Sequence, residues 1–234
     1  AIRSSDVDDL STAGISGLTS TQMPALTTDQ IIGLIETQLN AFSASQLNAL
    51  TSGQVKALET RDVQALSTTL VAQASTTFVQ ALSTDQVNAM GSAQLKALTG
   101  TQVQALTSAQ LNSLDLVNLK SIDTSDIQSL KNDQLSSLGS QVVNSLTSQQ
   151  IQALTSTQIT KLTSNQVNSL DSVTLSNLST VQVAALNSAM TCKLCASSFI
   201  GLFIAASSTP SFIKLNRPVL RTGVPPCPSA PARY

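Results

Sequence analysis

The chain of 234 residues carries 12 basic and 13 acidic side chains, no histidine, no tryptophan and few aromatic residues. A nearly neutral chain with thinly spread charge has no positive field to gather phosphates, which argues against nucleic acid as a partner. The lack of histidine excludes Ser-His and Cys-His catalysis. We therefore expect a non-enzymatic protein without a cofactor, built on something other than an aromatic globular core.

An eight-residue repeat runs from Val7 to Met190 without a change of register. When each octad is numbered from its first apolar residue, position 1 is apolar in all 23 octads and position 4 is leucine in 19 of them. Position 3 is usually Ala, Ser or Gly, and position 2 is usually polar. This pattern indicates one side of each unit that packs and one that faces water.

Positions 5 and 8 show where each unit begins as a helix. Position 5 is Ser, Thr, Asp or Asn in 18 octads and position 8 is Gln in 14, so that eleven octads have the spacing seen from Thr51 to Gln54. This is the capping box, and the leucine before it with the aliphatic residue after it has the spacing of a hydrophobic staple. Each octad is therefore predicted to form one helical segment of about seven residues that ends at the next cap.

Three other structures fit the pattern less well. In a continuous helix the apolar stripe would rotate by roughly 80° per octad and face no single partner. In a β-solenoid, positions 1 and 4 would point to opposite faces of a strand. Disorder suits the Ser, Thr, Gln and Asn content, but not two positions that stay apolar throughout. We predict an all-α solenoid of about 23 mutually dependent units, because so short a helix is unstable alone.

Two neighbouring octads depart from the pattern in the middle of the array. Leu70 and Phe78 stand at position 8, where glutamine is usual. Ordinary drift of the repeat is one interpretation. The other is a partner-binding patch built on these two side chains.

The repeat stops after Met190, and two different segments follow. Residues 191–206 include the apolar run from Phe199 to Ile204, which is too short for a membrane span of about 20 apolar residues. We expect this segment to cover the end of the array, or alternatively to mediate self-association. Residues 207–234 hold six of the seven prolines, which predicts an extended tail. The predicted organisation is thus an array over 1–190, an apolar cap over 191–206 and an irregular tail over 207–234.

All three cysteines lie near the C-terminus. Cys192 and Cys195 form a C-x-x-C pair, and Cys227 stands alone. Tetrahedral zinc coordination would want a fourth ligand, and no histidine is present to supply it. We interpret the cysteines as incidental thiols or, for Cys192 and Cys195, as a candidate disulfide, with no metal site.

The repeats as written, such as the stretch from Leu98 to Thr107, resemble the Leu-Thr-Thr-x-Gln-Ile-x-Ala tracts of large repetitive bacterial proteins that are often secreted or displayed on the cell surface. The resemblance covers the chain from Val7 to Met190 and implies a spacer or adhesion-associated scaffold outside the cell, with a protein or cell-surface partner and no catalytic residues. The alternative is a soluble solenoid that recognises one specific protein through the variable positions 2, 6 and 7.

Overall fold

A computed structural model describes Val7 and residues 9–186 of the chain. Over these residues all regular secondary structure is helical, and there is no strand. The short-helix solenoid expected from the repeat is therefore confirmed. The apolar segment 191–206, the tail 207–234 and all three cysteines lie outside the described residues.

The described residues form twenty α-helices of four to six residues each. A 3-10 helix, Met23–Ala25, lies between the first two of them, and a further helical segment covers 180–186. The α-helices are α1 Thr12–Ser16, α2 Thr28–Ile32, α3 Glu36–Asn40, α4 Ala44–Asn48, α5 Ser52–Ala57, α6 Thr60–Ala65, α7 Thr68–Gln73, α8 Thr76–Ala81, α9 Thr84–Ala89, α10 Ser92–Ala97, α11 Gly100–Ala105, α12 Ser108–Ser113, α13 Leu116–Ser121, α14 Thr124–Gln128, α15 Asn132–Ser137, α16 Ser140–Ser145, α17 Ser148–Ala153, α18 Ser156–Ile159, α19 Ser164–Ser169 and α20 Ser172–Ser176.

Two consecutive extended residues separate one full-length helix from the next. Between α5 and α6 these are Leu58, with φ −57° and ψ 133°, and Glu59, with φ −73° and ψ 159°. The position-4 leucine has thus already left the helical conformation before the cap residue begins the next helix. This is why the twenty helices α1 to α20 have at most six residues, close to the predicted length of about seven.

The predicted capping boxes are present in ten of the eleven octads that carry the full spacing. In a typical one, the Thr51 N–H donates to Gln54 Oε1 at 2.7 Å, and the Gln54 N–H donates to Thr51 Oγ1 at 3.3 Å. In the eleventh, one of the two capping-box bonds forms, from the Thr19 N–H to Gln22 Oε1 at 2.8 Å. The local sequence therefore fixes the start of each helix.

The apolar positions form one continuous core. Position 1 is buried in every octad from Val7 to Val167, and most position-4 side chains are buried in the same cluster. Helices three octads apart pack against each other, as α2 does with α5 and α5 with α8. No helix of the described residues is long and apolar enough to cross a bilayer.

We predict that the octad is a structural unit that can be removed whole. Deletion of residues 99–106 joins Leu98 to Thr107 and restores a Leu-Thr junction in register. Deletion of only residues 99–102 places Val103 at a cap position and breaks the α11 capping box, so it should lower the free energy of unfolding by on the order of 3 kcal/mol more. Denaturant midpoints of both variants and the parent measure this, and equal or reversed losses would contradict it.

Candidate functional site

The most regular feature of the solenoid is a series of buried glutamines at position 8, which we call the glutamine ladder. Gln54 is 2% exposed, and its Nε2 donates to the carbonyls of Met23 at 2.8 Å and Leu26 at 2.6 Å. Each member reaches back 28 to 31 residues, into the octad three earlier, in this way. Donation to the carbonyls 31 and 28 residues earlier is made by Gln38, Gln46, Gln54, Gln86, Gln94, Gln102, Gln110, Gln134, Gln150, Gln166 and Gln182.

Only a primary amide can make all of these bonds. The Oε1 of each glutamine accepts the N–H of its own cap, as Gln54 Oε1 does from Thr51, while the two N–H groups of Nε2 donate to the earlier octad. A glutamate would serve the capping box equally well, but it has no proton to donate when ionised. Position 8 contains no glutamate in any of the 23 octads. That omission is the one sequence signal that could have revealed the ladder.

The carbonyls that accept from the ladder lie at helix ends, where backbone acceptors are left without their full set of partners within the helix. The position-1 carbonyl, such as that of Val55, also accepts from the N–H of the position-4 residue, here Leu58 at 3.3 Å. The ladder thus joins the C-terminal end of one helix to the N-terminal part of the helix four later, as from α5 to α9. A hydrogen bond of this kind contributes about 0.5 to 1.5 kcal/mol to stability, and a buried group left unpaired costs about 1 to 3 kcal/mol. The three bonds of one glutamine are therefore a substantial part of what holds neighbouring turns together.

We predict that Gln150→Met lowers the free energy of unfolding by about 2 to 4 kcal/mol, because the Thr147 N–H and the carbonyls of Leu119 and Ile122 all lose a partner. Gln149→Met is the matched control, since the adjacent glutamine is exposed and should change stability by less than about 0.5 kcal/mol. Chemical denaturation measures both. A similar loss in the two variants would show that the ladder contributes nothing specific.

A second hydrogen-bonding device appears where position 8 lacks a suitable acceptor. Asn40 Oδ1 accepts from the Ser67 N–H at 2.7 Å, in the octad where Leu70 replaces the glutamine. The asparagine stands at position 2 of the octad three earlier. The same bond is made by Asn48 to Ser75, Asn88 to Asp115 and Asn112 to Gly139, ahead of Phe78, Asn118 and Val142 respectively.

These position-2 asparagines also donate forward. Asn40 Nδ2 donates to the Ala65 carbonyl at 2.8 Å, and Asn48 Nδ2 donates to the Gln73 carbonyl at 3.0 Å. Asn144 precedes Thr174 by the same thirty residues, but its buried Oδ1 accepts no hydrogen bond in the described part of the chain. A lost glutamine is thus compensated at the cap N–H. Where asparagine stands at position 8, Asn118 Nδ2 also donates to the octad three earlier, to the Asn88 carbonyl at 3.0 Å.

The compensation predicts a measurable coupling between Asn40 and Leu70. Asn40→Ala should cost about 1 to 2 kcal/mol, because the Ser67 N–H loses its acceptor and the Ala65 carbonyl loses a donor. In a Leu70→Gln background the loss should shrink by about half, because the introduced amide would supply an acceptor to the Ser67 N–H from within its own octad. A double-mutant cycle by denaturant unfolding gives the coupling energy. Purely additive losses would show that Asn40 does not take the place of a position-8 glutamine as acceptor for the Ser67 N–H.

The structure places Leu70 and Phe78 inside the core, 6% and 5% exposed. Position 8 points inward, toward the space that the ladder amides occupy elsewhere, so apolar side chains there pack instead of facing a partner. The suggested partner patch at these two residues is therefore not an exposed surface. Cys192 and Cys195, the candidate disulfide, lie outside the described residues.

Asp62 is the one carboxylate in a buried ladder position among the described residues. Its Oδ2 accepts from the Glu59 N–H at 2.8 Å, and Arg61 Nε lies 3.7 Å from its Oδ1. Burial raises the pKa of Asp62 above its ordinary value, against the opposing effects of the Glu59 hydrogen bond and the Arg61 charge. When ionised, this side chain completes the cap but cannot donate to the earlier octad.

We predict that Asp62→Gln stabilises the protein by about 1 to 3 kcal/mol at neutral pH, because the amide supplies the two missing donors. An acid whose pKa is raised by folding favours the folded state below its unfolded pKa, and this contribution is lost as the pH rises through the folded pKa. The gain from the substitution should therefore be smaller near pH 3 than near pH 7. Thermal or chemical unfolding at both values tests this, with the exposed Asp85→Gln as control; a pH-independent difference would contradict it.

The outer surface of the described residues carries open depressions and a few exposed apolar side chains. An open depression of about 470 Å³ is lined in part by Lys96, Lys120 and Asp123. Within the described range, no three acidic or cysteine side chains stand close enough together to hold a metal ion. The large apolar side chains that are exposed are Ile32, Ile35, Leu116, Val117, Val173 and Val181.

The fold and the ladder define an all-α octapeptide-repeat solenoid. Three stretches of the chain, residues 1–35, 55–92 and 119–156, match the family model of the ALTTAQ repeat, and together they cover just under half of the sequence. A search among curated proteins finds no significant match. The family matches agree with the repeat seen in the structure.

Proposed function

We propose that the array is a non-enzymatic scaffold, acting as a spacer or extended interaction surface in an adhesion-associated protein at the cell surface. The observation that carries the proposal is the glutamine ladder. In the ladder, primary amides that could otherwise bind another molecule form hydrogen bonds between one turn of the solenoid and the next. The exposed positions 6 and 7 are left mainly to small residues, chiefly Ser and Thr with some Ala.

The contacts of the array are also of the kind that suits a spacer. Gln182, for example, reaches no further back than Ile151. Helices three apart pack against each other, and the ladder joins helices four apart. Additional octads would therefore lengthen such an array without changing its existing contacts. Tension along the solenoid is resisted by the inter-turn hydrogen bonds and by the continuous core.

Mechanical unfolding tests the scaffold. The full chain is held at its two ends and extended, and it should resist before it gives way, with each octad released contributing about 29 Å of extended chain. Gln150→Met should lower the force at which the array yields, and Gln149→Met should leave that force unchanged. Smooth extension at low force, as for an unstructured chain, would rule out a mechanical role.

A second candidate function is a soluble module that binds one specific protein. One observation favours it, since Leu116 and Val117 lie side by side at the start of α13, 54% and 68% exposed. A binding module would lose affinity for its partner when both are changed to serine, with the unfolding force unaffected. A spacer would lose neither property.

A further inference from the structure

We propose that Asp62 and two backbone carbonyls of the neighbouring turn bind a small monovalent metal cation such as Na⁺ inside the solenoid. Asp62 stands at position 8 and is 4% exposed. A ladder glutamine at this position would donate to the carbonyls 31 and 28 residues earlier, which here belong to Ile31 and Leu34. Three oxygen atoms therefore meet where an amide NH₂ group and two carbonyls meet elsewhere.

The register of the ladder is the same on both sides of Asp62. In the octad before it, Gln54 Nε2 donates to the carbonyls of Met23 and Leu26, at 2.8 and 2.6 Å. Three octads after it, Gln86 Nε2 donates to the carbonyls at the C-terminal end of α5. The carboxylate of Asp62 also occupies the place of the amide at the cap, since its Oδ2 accepts from the Glu59 N–H at 2.8 Å. Its other oxygen is thus the one on the side of the earlier turn.

Among the described residues, no side-chain donor reaches the two carbonyls. The Ile31 carbonyl accepts from backbone N–H groups of its own turn, such as that of Leu34 at 3.2 Å. Arg61 does not supply the missing donor, because its Nε lies 2.8 Å from Glu59 Oε2 but 3.7 Å from Asp62 Oδ1. The Arg61 side chain is 72% exposed. The inner side of the Asp62 carboxylate therefore faces acceptors and no proton.

A metal cation satisfies these three oxygens better than a water molecule does. An ionised carboxylate and a carbonyl only accept hydrogen bonds, and a water has two protons for three acceptors. A cation is coordinated by all three oxygens at once, and ligand sets made only of carboxylate and carbonyl oxygen suit hard cations. The charges of Arg61 and Glu59 offset each other, so a single positive charge balances Asp62.

The length of the aspartate leaves room for the ion. Aspartate is one methylene shorter than glutamine, which withdraws its oxygen by about 1.5 Å from the position of a ladder Nε2 and leaves about 4 Å to the carbonyls. That separation is too long for a direct hydrogen bond. Two oxygen–cation distances of about 2.4 Å each, meeting at an angle, span it.

The ion would join two turns at the octad where the ladder lacks its amide. Its ligands come from residues 28 and 31 positions apart, so the site exists only in the folded chain, and a ligand of the folded state stabilises it by mass action. The inference goes beyond the scaffold proposal and does not depend on it, because the site lies in the interior of the array.

Denaturant unfolding of the full chain at neutral pH, under reducing conditions, tests the site. The midpoint is measured in NaCl and in choline chloride of equal ionic strength, because choline is too large to enter. We expect a higher midpoint in NaCl, with the folding equilibrium constant raised about tenfold when the NaCl concentration is ten times the dissociation constant.

Asp62→Gln removes the carboxylate and supplies the two amide donors, so its midpoint should be the same in both salts. Asp85→Gln is the matched control, since it removes an exposed carboxylate and should keep the difference seen in the parent. In a direct measurement, the ²³Na resonance should broaden with the parent and with Asp85→Gln but not with Asp62→Asn, which loses the charge at nearly unchanged shape.

Three results would overturn the proposal. The first is a parent whose midpoint is equal in NaCl and choline chloride. The second is a difference between the salts that persists in Asp62→Gln, since it would then be a general salt effect. The third is a midpoint raised by CaCl₂ but not by NaCl at the same ionic strength, which would contradict a monovalent ion.

Discussion

A primary amide buried in a protein interior is stable only if its oxygen and both of its N–H groups find partners, and the solenoid depends on meeting that condition in octad after octad. The ladder glutamines meet it by joining three backbone groups: the N–H of their own cap and two carbonyls 28 and 31 residues earlier. One side chain thereby starts a helix and fastens it to the previous turn. Helices of six residues or fewer, unstable alone, are held in this way.

The position-2 asparagines act in the opposite direction along the chain. A ladder glutamine such as Gln102 donates to carbonyls 31 and 28 residues earlier, whereas Asn40 accepts from the N–H 27 residues later. Together the two devices set a superhelical turn of between three and four octads. Leucine, phenylalanine and valine are tolerated at position 8 because the cap N–H, the donor that they would strand, is accepted by an asparagine from the adjacent turn.

In this arrangement the position-8 glutamines, which are polar, point into the solenoid. Charged side chains make up only 11% of the chain. The ion pairs of Arg61 with Glu59 and Asp62 join residues of one octad. What remains outside is a regular surface of small polar side chains, interrupted by isolated apolar residues such as Val173 and Val181.

The sequence by itself determined the octad, the capping boxes, the buried positions 1 and 4 and hence the all-α solenoid. It could do so because a cap such as Thr51 and its partner Gln54 are three residues apart, and a local hydrogen bond is visible in a local pattern. Only the tertiary structure decided that Gln54 also binds Met23, that Asn40 replaces a glutamine thirty residues later, and that Leu70 and Phe78 face the core. Those contacts join residues 25 to 31 positions apart, a separation set by how many octads make one turn, and no single octad encodes that number.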